Sequence, residues 1–173
     1  MFFDLLTSGI IIVSSTLIGC ELAKKHVYRD KQLRELQGAL SRLETEIIHY
    51  STRLPEALTI IGDSIKGEVG ELFKYTGGLL DQRNSITISK AWRKALISLK
   101  GNLHLNKDEL DILYRFGDQL GSSDKEGQAK YIKLTLKQLY QQELNARETR
   151  EKYERMYKSL GLLGGIAIAV LLI

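Results

Sequence analysis

Three histidines, His26, His49 and His104, are the imidazoles of this 173-residue chain, and their placement limits its chemistry. A helix-borne metal pair needs ligands on one face, as in H-E-x-x-H or H-x-x-x-H, and these three are far apart in sequence. The single cysteine, Cys20, excludes an internal disulfide framework and a cysteine zinc cluster. No G-x-x-x-x-G-K-S/T or G-x-G-x-x-G motif offers a phosphate cradle. Serine and aspartate are plentiful, but no histidine lies among them to activate a nucleophile. The residues therefore predict no catalytic group, no metal ligand set and no cofactor, and each histidine reads as a surface or turn residue.

The spacing that remains is that of small residues. Ser15 with Gly19, and Gly161 with Gly165, make small-x-x-x-small pairs, which let membrane helices approach closely. Each pair lies in an uncharged stretch, Leu5 to Cys20 or Leu160 to Ile173. Such stretches span roughly 21 to 24 Å as helix, and flanking Phe2, Phe3, Leu22, Ala23, Met156 and Tyr157 extend them toward the hydrocarbon thickness. Two transmembrane helices, 1–26 and 157–173, are predicted, against re-entrant, interfacial or buried helices. Leu17-Ile18-Gly19-Cys20 resembles a lipoprotein lipobox, but MFFD lacks the basic start of an export signal. Lys24, Lys25, Arg29, Lys31 and Arg34 follow the first stretch, and Arg147, Arg150, Lys152, Arg155 and Lys158 precede the second. By the positive-inside rule the middle of the chain is cytoplasmic.

That middle, residues 27–156, reads as consecutive helices. Leu33, Leu36, Leu40, Leu43 and Ile47 recur at spacings of three and four, making a packing seam on a helix that runs unbroken from the first apolar stretch to about Tyr50. The turn falls at Leu54-Pro55, where proline restrains Leu54 and opens the next helix. Gly62, Gly67, Gly70 and Gly77-Gly78 read as breaks between short helices, Pro55 to Lys66 and Glu68 to Leu80. Thr87 or Ser85 would cap a helix carrying Ala91, Trp92, Ala95, Leu96 and Leu99, with Trp92 and Phe116 in the core. Asn106 with Glu109 makes a capping box for a helix ending near Gly121, and Ser123 with Glu126 repeats it. The last helix continues to Ile173, supported by the Glu148/Lys152, Glu151/Arg155 and Glu154/Lys158 pairs. The fold class is all-α: a bundle of about six helices continuous with two terminal transmembrane helices. The net charge of +4, mostly interleaved, reads as a solvated surface rather than a nucleic-acid groove.

In order and spacing, Leu33 to Ile47 (LxxLxxALxxLExEI), Leu54 to Leu58 (LPEAL), Ala91-Trp92, Phe116 to Gln128 (FGDQLGSSDKEGQ) and Tyr157 to Ile173 resemble the stage III sporulation protein AB family of spore-forming bacteria. The likeness covers essentially the whole chain, with Cys20 a departure. It implies a helical domain similar to the inner-membrane platform proteins of type II secretion and type IV pilus systems. The implied role is non-enzymatic: a platform in the channel complex between mother cell and forespore. The implied partners are a secretion-type cytoplasmic ATPase, stage III sporulation protein AA, and the other membrane proteins of that complex. The implied location is the mother-cell membrane facing the forespore, with the body in the cytoplasm. A competing class is a two-anchor sensor or adaptor that transmits signals through its long helices.

Overall fold

The computed structural model describes residues 2–81, 86–121 and 124–172, and for 2–23, 158, 161, 162 and 165–172 it describes the backbone alone. The described secondary structure is entirely helical: α1 (Phe2–Ile48), α2 (Leu54–Ser64), α3 (Glu68–Asp81), α4 (Ile88–Leu99), α5 (Lys107–Gln119) and α6 (Lys125–Leu172). The chain forms two compact units. One comprises Met1–Asp30 and Asn145–Ile173, the other Lys31–Leu144, so α1 and α6 contribute to both.

In the unit Lys31–Leu144 the seam predicted on α1 is real. Leu33, Leu36, Leu40 and Leu43 are fully buried and Ile47 nearly so. Burying a leucine of this kind is worth roughly 1.5–3 kcal/mol, which makes the stripe the main apolar contribution of α1 to this unit. The chain leaves α1 through Ser51, a non-glycine residue in the left-handed region (φ 56°). Lys125 Nζ donates to the Ser51 hydroxyl at 2.7 Å, and Thr52 Oγ1 donates to Glu46 at 2.7 Å, so side chains hold the reversal. Pro55 then lies in the first turn of α2, where its missing N–H costs nothing. The extended residue is Arg53, one earlier than expected, and Leu54 is already helical and half-buried.

The glycines of α2 and α3 do something other than the sequence suggests. Gly67 alone of them separates the two helices; Gly62 lies inside α2, and Gly70, Gly77 and Gly78 lie inside α3. α2 packs directly on α3, and a Cβ on Gly62 would stand 2.5 Å from the Lys74 nitrogen and 2.7 Å from its Cα. On Gly77 it would stand 2.5 Å from Thr59 Oγ1. These positions set how closely two backbones approach, so they stay glycine at the expense of helix propensity.

α3 packs on α4 and α4 on α5. Thr87 occupies the N-cap of α4, but its side chain makes no capping hydrogen bond; Ser85 lies outside the described residues. α5 has the full capping box: Glu109 N donates to Asn106 Oδ1 at 2.9 Å, and Asn106 N donates to Glu109 Oε2 at 2.6 Å. Glu109 is completely buried, so the box also satisfies a carboxylate that water does not reach. At the start of α6, Asp124 Oδ1 accepts from Gly127 N at 2.9 Å, while Ser123 lies outside the described residues. α6 then continues through Gly161, Gly164 and Gly165 without a break.

Among the described residues no helix is long and apolar enough to cross a membrane. The apolar ends of α1 and α6 fall almost wholly on residues described as backbone alone.

One substitution should therefore have opposite signs at two glycines. Gly62→Ala should destabilise, because the new methyl meets Lys74 backbone, whereas Gly78→Ala, with nothing within 4 Å, should stabilise by up to about 1 kcal/mol. Chemical denaturation of the two variants checks this; stabilisation by both would mean that α2 and α3 are not in close contact.

Candidate functional site

The side chains described in the unit of Met1–Asp30 and Asn145–Ile173 form a polar and aromatic seam between α1 and α6. The His26 ring stacks on Tyr153 at 4.5 Å with an interplanar angle of 3°, and Tyr153 stacks on Tyr157 at 6.0 Å. One turn further, Arg150 Nη1 donates to Asp30 Oδ2 at 2.8 Å. The aspartate is 1% exposed and Arg150 35%, so one partner is buried and the other is partly solvated, while the Arg150 Nε, itself shielded from water, lies 3.8 Å from Glu154. A buried pair contributes little net stability but strongly disfavours misalignment, because sliding either helix strands a charge. It fixes α1 against α6 in antiparallel register at the point where both approach their apolar ends. The surface of α6 adds Arg147–Glu151 at 3.3 Å and Glu151–Arg155 at 3.4 Å, worth a few tenths of a kcal/mol each. Of the other expected pairs, Glu148 and Lys152 make no ion pair, and the Lys158 side chain lies outside those described.

In the unit Lys31–Leu144 the same antiparallel pairing recurs. Gln37 Nε2 donates to Glu143 at 2.8 Å, Arg34 lies 3.8 Å from the same carboxylate, and Lys133 lies 3.5 Å from Glu44. Gln32, 2% exposed, ties α1 to the short helices. Its Oε1 accepts from His104 N at 2.7 Å, and its Nε2 reaches the Asn102 carbonyl and Glu68, each at 3.4 Å. One amide thus positions the loop between α4 and α5 and the start of α3.

α4 is set by Trp92. Its Nε1 donates to the Leu113 carbonyl at 2.8 Å, and its ring meets Phe73 and Phe116 edge-on at 5.3 and 5.4 Å. A methyl on Gly117 would collide with the indole, so α5 presents bare backbone there. At the outer end of the contact, Asp118 accepts from the Ser89 hydroxyl at 2.6 Å and from Arg93 Nη2 at 2.9 Å. The Ser89 hydrogen bond, then Arg93, hold the Asp118 carboxyl below its usual range. The stability this clamp contributes is fully present above that range and is lost as pH falls through the lowered folded-state value beneath it.

These arrangements position helices; they do not assemble a reaction centre. Among the described residues no group of three or more His, Cys, Asp or Glu is placed to hold a metal ion. His49 is exposed and His104 half-buried, each in its own part of the unit Lys31–Leu144. A recess of about 330 Å³ between α5 and α6 is lined by Phe116, Tyr131, Leu134 and Arg115 among others, with no nucleophile beside a base. Ser15, Gly19, Gly161 and Gly165 are helical, but their surroundings lie outside what is described. Leu54, expected to be held out of helical geometry, is the first residue of α2, and Pro55 lies beside it in the first turn. Sequence reasoning missed Gln32, the Asp30–Arg150 pair and Gly117. Pairs far apart in sequence carry no local signal, but a glycine inside the periodic helix α5 is a local signal that could have marked Gly117 as a close approach.

The family model of stage III sporulation protein AB matches residues 4–173. The stage III sporulation protein AB of Bacillus subtilis (strain 168) is 37% identical over 168 residues, covering 97% of this chain and 98% of its own length. A solved structure of stage III sporulation protein AB is similar with a TM-score of 0.68 at 34% identity, covering 72% of this chain and 98% of that one.

The seam predicts an asymmetry. Arg150→Ala, which leaves the buried Asp30 carboxylate without its guanidinium, should cost about 3–5 kcal/mol. Asp30→Ala should cost less, because Arg150 keeps Glu154 and water. Denaturation of both variants and of the double variant measures the difference; equal losses would show that Asp30 is not the confined partner.

Proposed function

Because this chain belongs to the stage III sporulation protein AB family, we propose that it is a non-enzymatic membrane platform of a sporulation channel complex. Its body, residues 27–156, docks a secretion-type cytoplasmic ATPase, stage III sporulation protein AA, onto the other membrane proteins of that complex. Residues 1–26 and 157–173 are the anchors, in the mother-cell membrane facing the forespore, and Ser15, Gly19, Gly161 and Gly165 let them pack closely.

The observation that carries this reading is the seam of His26, Tyr153, Asp30 and Arg150. It brings α1 and α6 side by side just before the uncharged stretches begin, so both ends are aimed the same way. Basic residues on both helices border those stretches, as expected of cytoplasmic flanks, and tyrosines at the border suit a membrane interface. Two anchors held in register attach the body to the membrane by both of its ends, which suits docking a motor and which a single anchor does not supply. A sensor that signals along its long helices would instead need a seam that slips, and a buried ion pair opposes slipping.

The test is capture of the purified ATPase by the full chain in mild detergent. The platform reading predicts a stoichiometric complex. A chain that retains its helical fold and its membrane attachment but captures no ATPase would favour the sensor or adaptor instead.

A further inference from the structure

The outer face of α4 carries a charge pattern that its own folding does not explain. Between Gln82 and Lys107 the sequence has six Lys or Arg and no Asp or Glu, although the whole chain is only +4, so the remainder is net acidic. α4 buries Ala91, Trp92, Ala95 and Leu96, which turns Lys90, Arg93, Lys94, Ile97 and Lys100 outward, all of them exposed. Arg93 is engaged by Asp118 and lies over the Tyr114 ring at 5.2 Å. Among the described residues, Lys90, Lys94 and Lys100 have no ion-pair partner. Lys90 and Lys94 repel each other one turn apart, and Lys90 sits in a first turn that holds no acidic residue, where the helix dipole favours one. Ile97, 61% exposed, stands in the middle of this row at helical spacing from Lys90, Lys94 and Lys100. An apolar side chain ringed by unpaired charges of one sign has the anatomy of an interface anchor and its rim.

We infer that the exposed face of α4, with Ile97 as anchor and Lys90, Lys94 and Lys100 as rim, is the docking surface for an acidic protein partner. The assignment to protein follows from charge complementarity around an apolar centre. A polyanion needs no buried isoleucine, and one isoleucine is too little apolar surface to seat a helix in a bilayer. On the proposed function, which this inference rests on, the partner is an acidic surface of the motor ATPase. Lysines spaced along one face raise the association rate and make it salt-dependent, while Ile97 limits dissociation.

The test uses the full chain in mild detergent and the purified ATPase, with affinity measured at low and high salt. The doubly reversed variant Lys90→Glu, Lys94→Glu should bind at least tenfold more weakly and lose most of its salt dependence. Its thermal midpoint should stay the same or rise, because an acid in the first turn suits the helix dipole. Ile97→Ser should weaken binding comparably with the charge intact. The same charge change on α6, Lys130→Glu with Lys137→Glu, should bind like the parent. Binding of the parent chain with no effect of the α4 variants overturns this docking surface and leaves the platform reading standing. No binding by the parent chain overturns both. If the α4 variants instead lose attachment to phosphatidylglycerol vesicles while holding the ATPase normally, the face belongs to lipid and the inference fails.

Discussion

The orientation of α4 rests on Trp92, and much else in the body follows from it. An indole buried in an apolar core needs a partner for its one N–H, and the Leu113 carbonyl of α5 supplies it at 2.8 Å. That bond, with Phe73 and Phe116 edge-on to the ring, fixes the rotation of α4 about its own axis. Once Trp92 points inward, Lys90, Lys94 and Ile97 must point outward. The requirement extends to α5, where Gly117 leaves room for the indole, and to the Ser89–Asp118–Arg93 clamp that closes the contact at the surface. A smaller residue at position 92 would leave a cavity costing several kcal/mol and would also free the helix to turn.

The polar interior has a different task. Apolar stripes such as Leu33 to Ile47 attract neighbours strongly but define register weakly, since a helix shifted by one turn still presents leucine. Gln32 and the Asp30–Arg150 pair remove that freedom. Gln32 meets a backbone N–H, a backbone carbonyl and a carboxylate, a set available at one register only. Asp30 tolerates its burial because Arg150 is opposite it. Buried hydrogen-bonded groups cost dearly when displaced, so they specify alignment even where they add little stability.

Features that depend on neighbours along the chain were legible in the sequence. Leucine spacing marked the buried face of α1, Asn106 and Glu109 announced the start of α5, and Pro55 placed the turn into α2 to within a residue. Features that depend on what a helix meets across space were not. The glycines of α2 and α3 read as breaks because glycine disfavours helix; only contact with Lys74 and Thr59 shows that Gly62 and Gly77 are retained for close packing. Ser51 gave no sign of its left-handed backbone, which Lys125 supports from far along the chain. The Asp30–Arg150 pair joins residues that interleaved charges elsewhere made indistinguishable from ordinary surface residues. Family resemblance supplied what neither kind of pattern holds, the association with sporulation.

The proposed platform role requires that both apolar ends enter a membrane from the cytoplasm and hold the body there. Site-directed thiol labelling decides this. In a Cys20→Ser background, cysteines placed at Lys31 and Lys152 report on the two flanks of the body. Both should be inaccessible to a membrane-impermeant thiol reagent in intact cells and react after lysis, while the protein remains in the membrane fraction at unchanged size. Labelling of both in intact cells, or loss of membrane attachment when Cys20 is replaced, would mean that the body is exported and lipid-anchored, and the cytoplasmic platform account would be contradicted.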